Sequence, residues 1–182
     1  MSVLKHKGSK KIKTDRLILR KVKISDYKDM FAYVCKEEVA EFVSWTPHKD
    51  PKETKKLCKS WRKRDLKKCN YHWCIVFEDK VIGNIDVVYH DEKTAILGWQ
   101  LDNVYWNKGI ITEAATAVRD YLLYEVGFET LEACYIDKNI GSGRVMQKIG
   151  MTEIPFYESL HYKIKKETEM NGNKLIFYKL NK

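Results

Sequence analysis

Apolar and polar residues alternate at the start of the chain, and the period of two along TDRLILRKV (residues 14–22) predicts a β-strand. Ser25 or Asp26 then offers an N-cap for a helix, in which apolar residues repeat every three or four positions up to Val34. We therefore expect a strand followed by a helix as the first pair of elements.

The middle of the chain combines breakers, a charged segment and apolar runs. Two prolines interrupt residues 41–51, which we interpret as a loop. Residues 52–68 predict a strongly basic helix with a partial apolar stripe, which consists of Leu57, Trp61 and Leu66. Residues 71–102 predict three antiparallel strands, and Gly83 in the second strand indicates a bulge or a close approach of another backbone.

The C-terminal part of the chain predicts further helices and strands. An amphipathic pattern over residues 112–124 indicates a long helix, and the short strand LEACYID follows it. A second helix over residues 143–149 ends at Gly150 as its C-cap. From Phe156 onward we expect two strands, joined at the Asn-Gly turn of residues 171–173. The complete pattern favours a mixed sheet with helices packed against it.

Length and composition are those of one folded domain. The chain has 182 residues, of which 44% are hydrophobic, and we assign residues 14–182 to a single domain and residues 1–13 to a flexible basic tail. No apolar run approaches the roughly 20 residues of a membrane helix, and the start lacks signal-peptide character, so we expect a cytoplasmic protein without a membrane partner. Five cysteines without a CxxC pair favour reduced thiols, with no disulfide framework and no metal site.

The charge balance adds a preference for an anionic partner. Lysine and arginine number 34 against 25 aspartates and glutamates, and the resulting charge of +9 suits nucleic acid, a ribosomal surface or a phosphorylated cofactor. Much of the excess lies in the N-terminal tail and the basic helix, where a solvated surface is the alternative explanation.

The segment YWNKGIITEA, residues 105–114, is the strongest candidate for binding such an anion. Gly109 lies between a strand-like run that ends near Leu101 and the long predicted helix, so the backbone can approach a ligand closely. The N–H groups of the first helical turn and the helix dipole favour a phosphate or pyrophosphate there. A glycine that only makes a tight turn is the alternative.

Four motifs occur together in this chain: TDRLILR, a GW dipeptide, WNKGIITEA and NIGSGRVMQKIG. In this order they resemble the GNAT superfamily of acetyl-CoA-dependent N-acetyltransferases, over Thr14 to Leu180. The resemblance is to the branch that includes ribosomal-protein N-terminal acetyltransferases and many small-molecule acetyltransferases. It implies an α/β (α+β) fold with a mixed, mostly antiparallel seven-stranded sheet, a central splayed strand pair and about four helices packed on the sheet.

The resemblance also implies acetyl-CoA as the cosubstrate. It assigns to acetyl-CoA binding the residues Leu101, Asn103, Trp106, Asn107, Lys108, Gly109, Ile110, Ile111, Thr112, Asn139 and Ser142. The loop departs from the family pattern at Asn107, where glycine is common, and at Ile111, where a small residue is common. Asparagine tolerates a left-handed backbone, and an outward side chain at Ile111 leaves its N–H available to the ligand.

Fewer residues are implied for the chemistry. Many relatives carry a tyrosine acid where Met146 stands, and because methionine cannot donate a proton, Ser142 is the better candidate for protonating the leaving thiolate. For the base, an ungapped alignment from Ser142 points to a strand position at His161, with Glu158 close by.

Other ionisable residues are alternatives for the base, namely Asp86, His72 and Glu113. Glu113 is also explained as a carboxylate that complements a helix N-terminus, and His72 as a surface residue beside a core tryptophan. A glutamate that some relatives carry before the GW glycine is Ile96 here, so that base is absent.

These observations predict transfer of an acetyl group from acetyl-CoA to a primary amine by direct attack on the thioester. The acceptor is a peptide or a small molecule, with a ribosomal protein among the candidates, and the protein is a monomer or a homodimer. Residues 41–49 and the basic helix are the expected sources of acceptor specificity. Two alternatives stay open: a non-catalytic acyl-CoA-binding module, and a ribosome- or RNA-associated protein.

Overall fold

The computed structural model describes residues 4–164, 169–170 and 172–182. Within these residues the strands are β1 Ile12–Lys13, β2 Ile18–Arg20, β3 His72–Phe77, β4 Lys80–His90, β5 Thr94–Leu101, β6 Thr130–Ile136, β7 Thr152–Ile154, β8 Glu169–Met170 and β9 Asn173–Asn181. The helices are α1 Tyr27–Val34, α2 Glu37–Ala40, α3 Pro51–Arg64, α4 Ile110–Asp120, α5 Ile140–Lys148 and α6 Leu160–Ile164. The mixed, mostly antiparallel class is confirmed, but the described residues contain nine strands rather than seven. The strands β1, β7 and β8 have two or three residues each and are too short to leave a periodic pattern.

The described chain divides into two compact units. The first unit contains residues 6–86 and 99–114, and the second contains residues 4–5, 87–98 and 115 onward. Strands β4 and β5 contribute to both units, since the divisions fall within these two strands.

In the first unit, β1, β2, β3 and β4 pair antiparallel in that order. The register between β3 and β4 shifts after Ile75, opposite Gly83. A Cβ at Gly83 would collide with the Gln100 carbonyl oxygen, so the predicted close backbone approach is confirmed. Helices α1 and α3 cover one face of these strands, and the buried core between them contains Val22, Met30, Tyr33, Val34, Val39, Cys58, Cys74, Val76 and Val81.

In the second unit, β5 pairs with β6 in parallel, and the ladder runs from Thr94↔Thr130 to Ile96↔Glu132. This parallel pairing ends before β6 does, as the predicted splayed pair requires. The other neighbours are antiparallel, because β9 pairs with β6 along Thr130–Ile136 and also pairs with β7 and β8.

Local capping explains where two helices begin and end. Asp50 accepts a hydrogen bond from the Lys52 N–H at 2.7 Å, and Pro51 occupies the first position of α3, so this proline starts a helix instead of prolonging the loop. At the end of α5, Gly150 adopts a φ of 88° and donates to the Gln147 carbonyl. Ile149 is the C-cap, and Gly150 follows it in the left-handed conformation, so the predicted end of the helix at Gly150 is confirmed.

Residues 6–13 make specific contacts, although the sequence predicts a flexible tail over residues 1–13. His6 hydrogen-bonds the Tyr71 hydroxyl at 2.9 Å, the Trp73 indole donates to the Lys10 carbonyl at 2.7 Å, and β1 pairs with β2. The lysine-rich composition suggested mobility. The His6 side chain, the Lys10 carbonyl and the backbone of β1 nevertheless hold this segment, and composition does not reveal such contacts.

The segment after Phe156 also differs from the prediction of two continuous strands. Residues 156–158 form a 3-10 turn and α6 follows. The helix is favoured because Ser159 Oγ accepts from the Tyr162 N–H at 3.1 Å and buried Glu132 accepts from the Leu160 N–H at 2.7 Å. The second predicted strand is confirmed as β9, which forms a hairpin with β8, whereas Asn171 of the predicted turn lies outside the described residues.

Candidate active site

The segment between β5 and α4 has the backbone that an anion-binding loop requires. Asn107 and Gly109 both lie in the left-handed region, with φ values of 61° and 74°. Asparagine is among the few residues with a side chain that adopt this conformation readily. Asn107 therefore adopts a backbone conformation that glycine also favours, so this departure from the family pattern is compatible with the left-handed loop.

The first turn of α4 presents backbone donors at the positive end of the helix dipole. The first helical hydrogen bond runs from the Glu113 N–H to the Gly109 carbonyl at 3.0 Å, so the N–H groups of Ile110 and Ile111 precede it. Both isoleucine side chains are buried. The expectation that Ile111 faces outward is wrong, because its side chain packs in the core, where its bulk does not obstruct the donors.

A hydrogen-bonded network ties the opening TDR motif to this loop. The Glu113 carboxylate accepts from Thr14 Oγ1 at 2.5 Å and from Arg16 Nε at 2.6 Å. Arg16 Nη1 also donates to the Lys108 carbonyl at 3.1 Å. Burial alone would raise the pKa of Glu113, but the hydrogen bonds from Thr14 and Arg16 outweigh burial and hold that pKa below its ordinary value. Both carboxylate oxygens of Glu113 therefore hold the TDR motif against the loop.

The end of β5 is fixed by side chains from two directions. Lys36 Nζ donates to Asp102 Oδ1 at 2.6 Å and to Asn103 Oδ1 at 2.8 Å. The Trp106 indole donates to the Leu101 carbonyl at 2.9 Å. These contacts hold Leu101 and Asn103, the two residues predicted to contact the pantetheine arm through their main chain. The Leu101 carbonyl already accepts one hydrogen bond, so one of its lone pairs remains for a ligand.

In the second unit, the start of α5 carries the predicted proton donor. Asn139 caps the helix, since its Oδ1 accepts from the Ser142 N–H at 3.1 Å. Ser142 is half-buried, and within the described part of the chain its hydroxyl makes no hydrogen bond. The Ser142 hydroxyl can therefore donate to a ligand.

Tyr135, which is not among the predicted site residues, lies directly beside α5, the helix that carries Ser142. A Cβ at Gly143 would lie 2.8 Å from the Tyr135 hydroxyl oxygen, so the phenol rests on the bare backbone of α5. Burial raises the pKa of this phenol. Met146, in the same helix, is buried in the core. The one sequence signal for this arrangement was a glycine inside a predicted helix.

The structure places the two predicted base candidates in a different context from the one expected. His161 lies on α6, not on a strand, and its ring centroid is 5.4 Å from that of Phe177. Glu158 is exposed in the preceding 3-10 turn. Their roles as bases stay predictions.

The predicted acceptor loop forms part of an open cleft in the first unit. The cleft has a volume of about 550 Å³ and is lined by Cys35, Glu37, Thr46, Pro47, His48 and Lys49. His48 Nδ1 hydrogen-bonds Thr54 Oγ1 at 2.8 Å, which ties the loop to α3. The loop and the basic helix therefore share a contact, as an acceptor site built from both requires.

The mixed sheet and the loop before α4 define an α/β protein with a candidate anion-binding loop, and comparison with known proteins gives the family. The family model described as "Acetyltransferase (GNAT) domain" matches residues 16–152. The chain therefore belongs to the GNAT acetyltransferase family, and it is an N-acetyltransferase.

No helix among the described residues is both long enough and apolar enough to cross a membrane.

Individual proteins agree with this assignment. The uncharacterized N-acetyltransferase YnaD of Bacillus subtilis (strain 168) is 30% identical over 148 residues, which cover 81% of this chain and 85% of the relative. RimL, a ribosomal L7/L12 alpha-N-protein acetyltransferase in complex with coenzyme A, aligns with a TM-score of 0.79 and 16% identity, over 94% of this chain and 98% of RimL. The microcin C7 self immunity acetyltransferase MccE, in complex with acetyl-CoA and AMP, aligns with a TM-score of 0.79 and 15% identity, over 93% and 94% of the two chains. These two structures show the fold that the sequence predicts.

Proposed function

We propose that this N-acetyltransferase moves an acetyl group from acetyl-CoA to a primary amine on a protein N-terminus or a small molecule, in the cytoplasm. The observation that carries the proposal is the loop at Asn107 and Gly109, whose left-handed backbone leads into the N-terminus of α4 and is held by Arg16. Such a loop supplies backbone donors to a pyrophosphate without a dedicated side chain.

The residues of the loop fit the charge of coenzyme A. A Cβ at Gly109 would have Arg16 Nη2 as its neighbour at 3.6 Å, so a guanidinium lies beside the backbone donors. Lys108 adds a second cation, and its Nζ lies 5.5 Å from the centre of the Tyr105 ring. Residues 106–112 would therefore hold the pyrophosphate, with Leu101 and Asn103 offering main-chain contacts to the pantetheine arm.

For the chemistry, the chain needs a proton donor for the departing thiolate. Ser142 fits this role because it is half-buried and its hydroxyl is available, whereas Met146 is buried and cannot donate. The hydroxyl would give its proton as the C–S bond of the thioester breaks, and Asn139 would hold Ser142 in position through the cap.

The acceptor is proposed at the level of chemical class. RimL is named a ribosomal L7/L12 alpha-N-protein acetyltransferase, and MccE is named a microcin C7 self immunity acetyltransferase. The names of proteins with this fold therefore differ in role, and the proposal covers both a protein N-terminus and a small-molecule amine.

The test is an amine screen with acetyl-CoA, monitored by release of the coenzyme A thiol, together with calorimetric binding of acetyl-CoA. We expect micromolar binding and thiol release that depends on an added amine. Tight binding without release for any amine would favour the non-catalytic module, and RNA binding that is steeply salt-dependent and insensitive to acetyl-CoA would favour the RNA-associated alternative.

A further inference from the structure

A cluster of polar side chains lies on the face of the first unit's sheet that α3 covers. We define this polar cluster as Asp65, His72, Asp86 and Gln100. His72 on β3 and Asp86 on β4 are cross-strand partners, so their side chains project to the same face. Asn84, two residues before Asp86, also lies on this face, and its Oδ1 accepts from Gln100 Nε2 on β5. Asp65 follows the last residue of α3.

The cluster contains several buried polar atoms without partners among the described residues. His72 is 5% exposed, and neither ring nitrogen makes a hydrogen bond; Asp65 is 8% exposed, and neither carboxylate oxygen does. Gln100 Oε1 is buried and unpartnered in the same way. Each buried polar atom without a hydrogen-bond partner lowers the folding stability by about 1–3 kcal/mol, and native proteins rarely contain such atoms. The cluster therefore has the composition of a binding site.

The unpartnered atoms are mainly hydrogen-bond acceptors, so the missing ligand is a donor. Two carboxylate oxygens and an amide oxygen can only accept, and a neutral imidazole has one accepting nitrogen. Burial lowers the pKa of His72 to about 3, so this ring is neutral at physiological pH. A group with several N–H donors and a positive charge matches this set, and a primary ammonium is the simplest such group.

Aromatic and basic side chains surround the cluster. The Trp61 indole packs on the neutral His72 ring with a centroid distance of 3.9 Å. Arg64 acts electrostatically on Asp65, His72 and Asp86, while Lys21 and Arg62 act on Asp65. Arg62 and Arg64 are exposed, so solvent screens their repulsion of a bound cation. Lys21 is half-buried and its Nζ donates to the Asp65 carbonyl at 3.3 Å, so it offsets part of the Asp65 charge and leaves Asp86 as the less compensated carboxylate.

Asp86 has the properties of a proton acceptor within this cluster. Protein atoms surround its carboxyl and raise the pKa to about 7, while the residue keeps part of its surface open to solvent. A carboxylate with a pKa near the working pH can take a proton from an ammonium and release it again. Asp86 thus differs from Glu113, whose pKa is lowered and whose oxygens are already bonded.

We propose that the polar cluster binds the ammonium group of the amine substrate and that Asp86 removes its proton. One N–H bond of the ammonium breaks, the proton bonds to an Asp86 oxygen, and the electron pair stays on nitrogen, which becomes the nucleophile. Gln100, the cluster's residue on β5, directly precedes Leu101, which is assigned to the pantetheine arm, so one member of the cluster adjoins the proposed path of the cosubstrate. This inference rests on the proposed acetyl transfer, because it names the site of the second substrate.

The experiment compares Asp86→Asn, Asp65→Asn and wild type in the full-length protein, with Asp79→Asn in the exposed β3–β4 turn as the matched control. The probes are a seryl peptide with a free α-amino group and 1,4-diaminobutane. Calorimetry with coenzyme A present measures amine binding, and thiol release measures turnover. Circular dichroism and thermal melting verify that each variant folds.

We expect Asp86→Asn to lower kcat/KM for the amine by at least about 100-fold near pH 7, with the deficit narrowing as pH approaches the amine pKa. Asp65→Asn should weaken amine binding about tenfold with an unchanged pH profile. Acetyl-CoA affinity should stay within about twofold in both variants, and Asp79→Asn should match wild type.

The outcomes separate the two proposals. Wild type that binds a probe amine through Asp65 and Asp86 but releases no thiol would overturn acetyl transfer and retain the amine site. Turnover or amine binding that is unchanged in Asp86→Asn and Asp65→Asn would overturn the amine site and retain acetyl transfer. The pH dependence of the rate separates the two candidate bases. If the ionisation near neutral pH disappears in His161→Gln but persists in Asp86→Asn, proton removal is assigned to His161 instead. Absence of binding by both probes in wild type would also overturn the amine site.

Discussion

The Arg16 guanidinium is held against the Glu113 carboxylate at 2.6 Å, and from there it reaches the carbonyl of Lys108 at 3.1 Å. Residues far apart in sequence thereby fix the loop between β5 and α4. The Arg16 side chain is 45% exposed, so its effect on global stability is small and its main effect is on loop geometry.

Removal of Arg16 should therefore weaken acetyl-CoA binding more than folding. We expect Arg16→Gln to raise the Kd for acetyl-CoA about five- to tenfold, because the loop loses its brace and the pyrophosphate loses a nearby cation. Calorimetric titration measures this change. Lys13→Gln, which removes an equal charge from an exposed nearby position, is the control, and an equal effect in both variants would contradict a specific role of Arg16.

The left-handed residues of the loop should respond differently to substitution. Asn107→Gly should leave the KM for acetyl-CoA within about twofold, because glycine adopts positive φ freely. Gly109→Ala should cost about 1–2 kcal/mol of loop strain and raise this KM correspondingly. Steady-state kinetics at saturating amine checks both, and a neutral Gly109→Ala would show that the left-handed backbone is not required for binding.

Ser142 should affect turnover rather than binding. Ser142→Ala should lower kcat by about 100-fold or more while changing acetyl-CoA affinity little, since only proton donation to the thiolate is lost. Ser60→Ala, on the exposed side of α3, provides the matched hydroxyl deletion. Equal kcat values for wild type and Ser142→Ala would eliminate the serine as the acid.

The Tyr135 ring should pack against α5 only if residue 143 has no side chain. Gly143→Ala should destabilise the protein by about 1–3 kcal/mol, because the new methyl group would overlap the phenol. The double variant with Tyr135→Ala should recover part of this loss, since the ring is gone. Urea denaturation of the four combinations measures the coupling, and strictly additive changes would show that the ring is not displaced.

Asp86 should make stability fall with rising pH over a defined range. Its folded pKa of about 7 lies above that of an unfolded aspartate, near 3.9, so the native state binds the extra proton between these values. The stabilisation is complete below about pH 4 and is lost as pH rises through about 7. The unfolding free energy of Asp86→Asn minus that of wild type should therefore be larger at pH 8 than at pH 4, by about 1 kcal/mol or more. A pH-independent difference in denaturation free energy would refute the raised pKa.

Sequence reasoning reached the fold and the loop because both depend on local signals. Gly109 and Asn107 mark their own backbone conformation, and the periodic strands mark the sheet. It misplaced His161 because α6 depends on the Ser159 cap and on Glu132, which is distant in sequence. The tie between Arg16 and Glu113 and the assembly of His72, Asp86 and Gln100 depend on strand register, which no single segment encodes.

Strand β9 has a consequence for how the protein is made. It is the shared neighbour of β6, β7 and β8, and seven of its residues pair with β6. During translation, β6 and the Tyr135 side chain emerge well before their partner strand does. The second unit can therefore complete its sheet only after the ribosome has passed Asn181, and until then the nascent chain presents an open strand edge that chaperones can recognise.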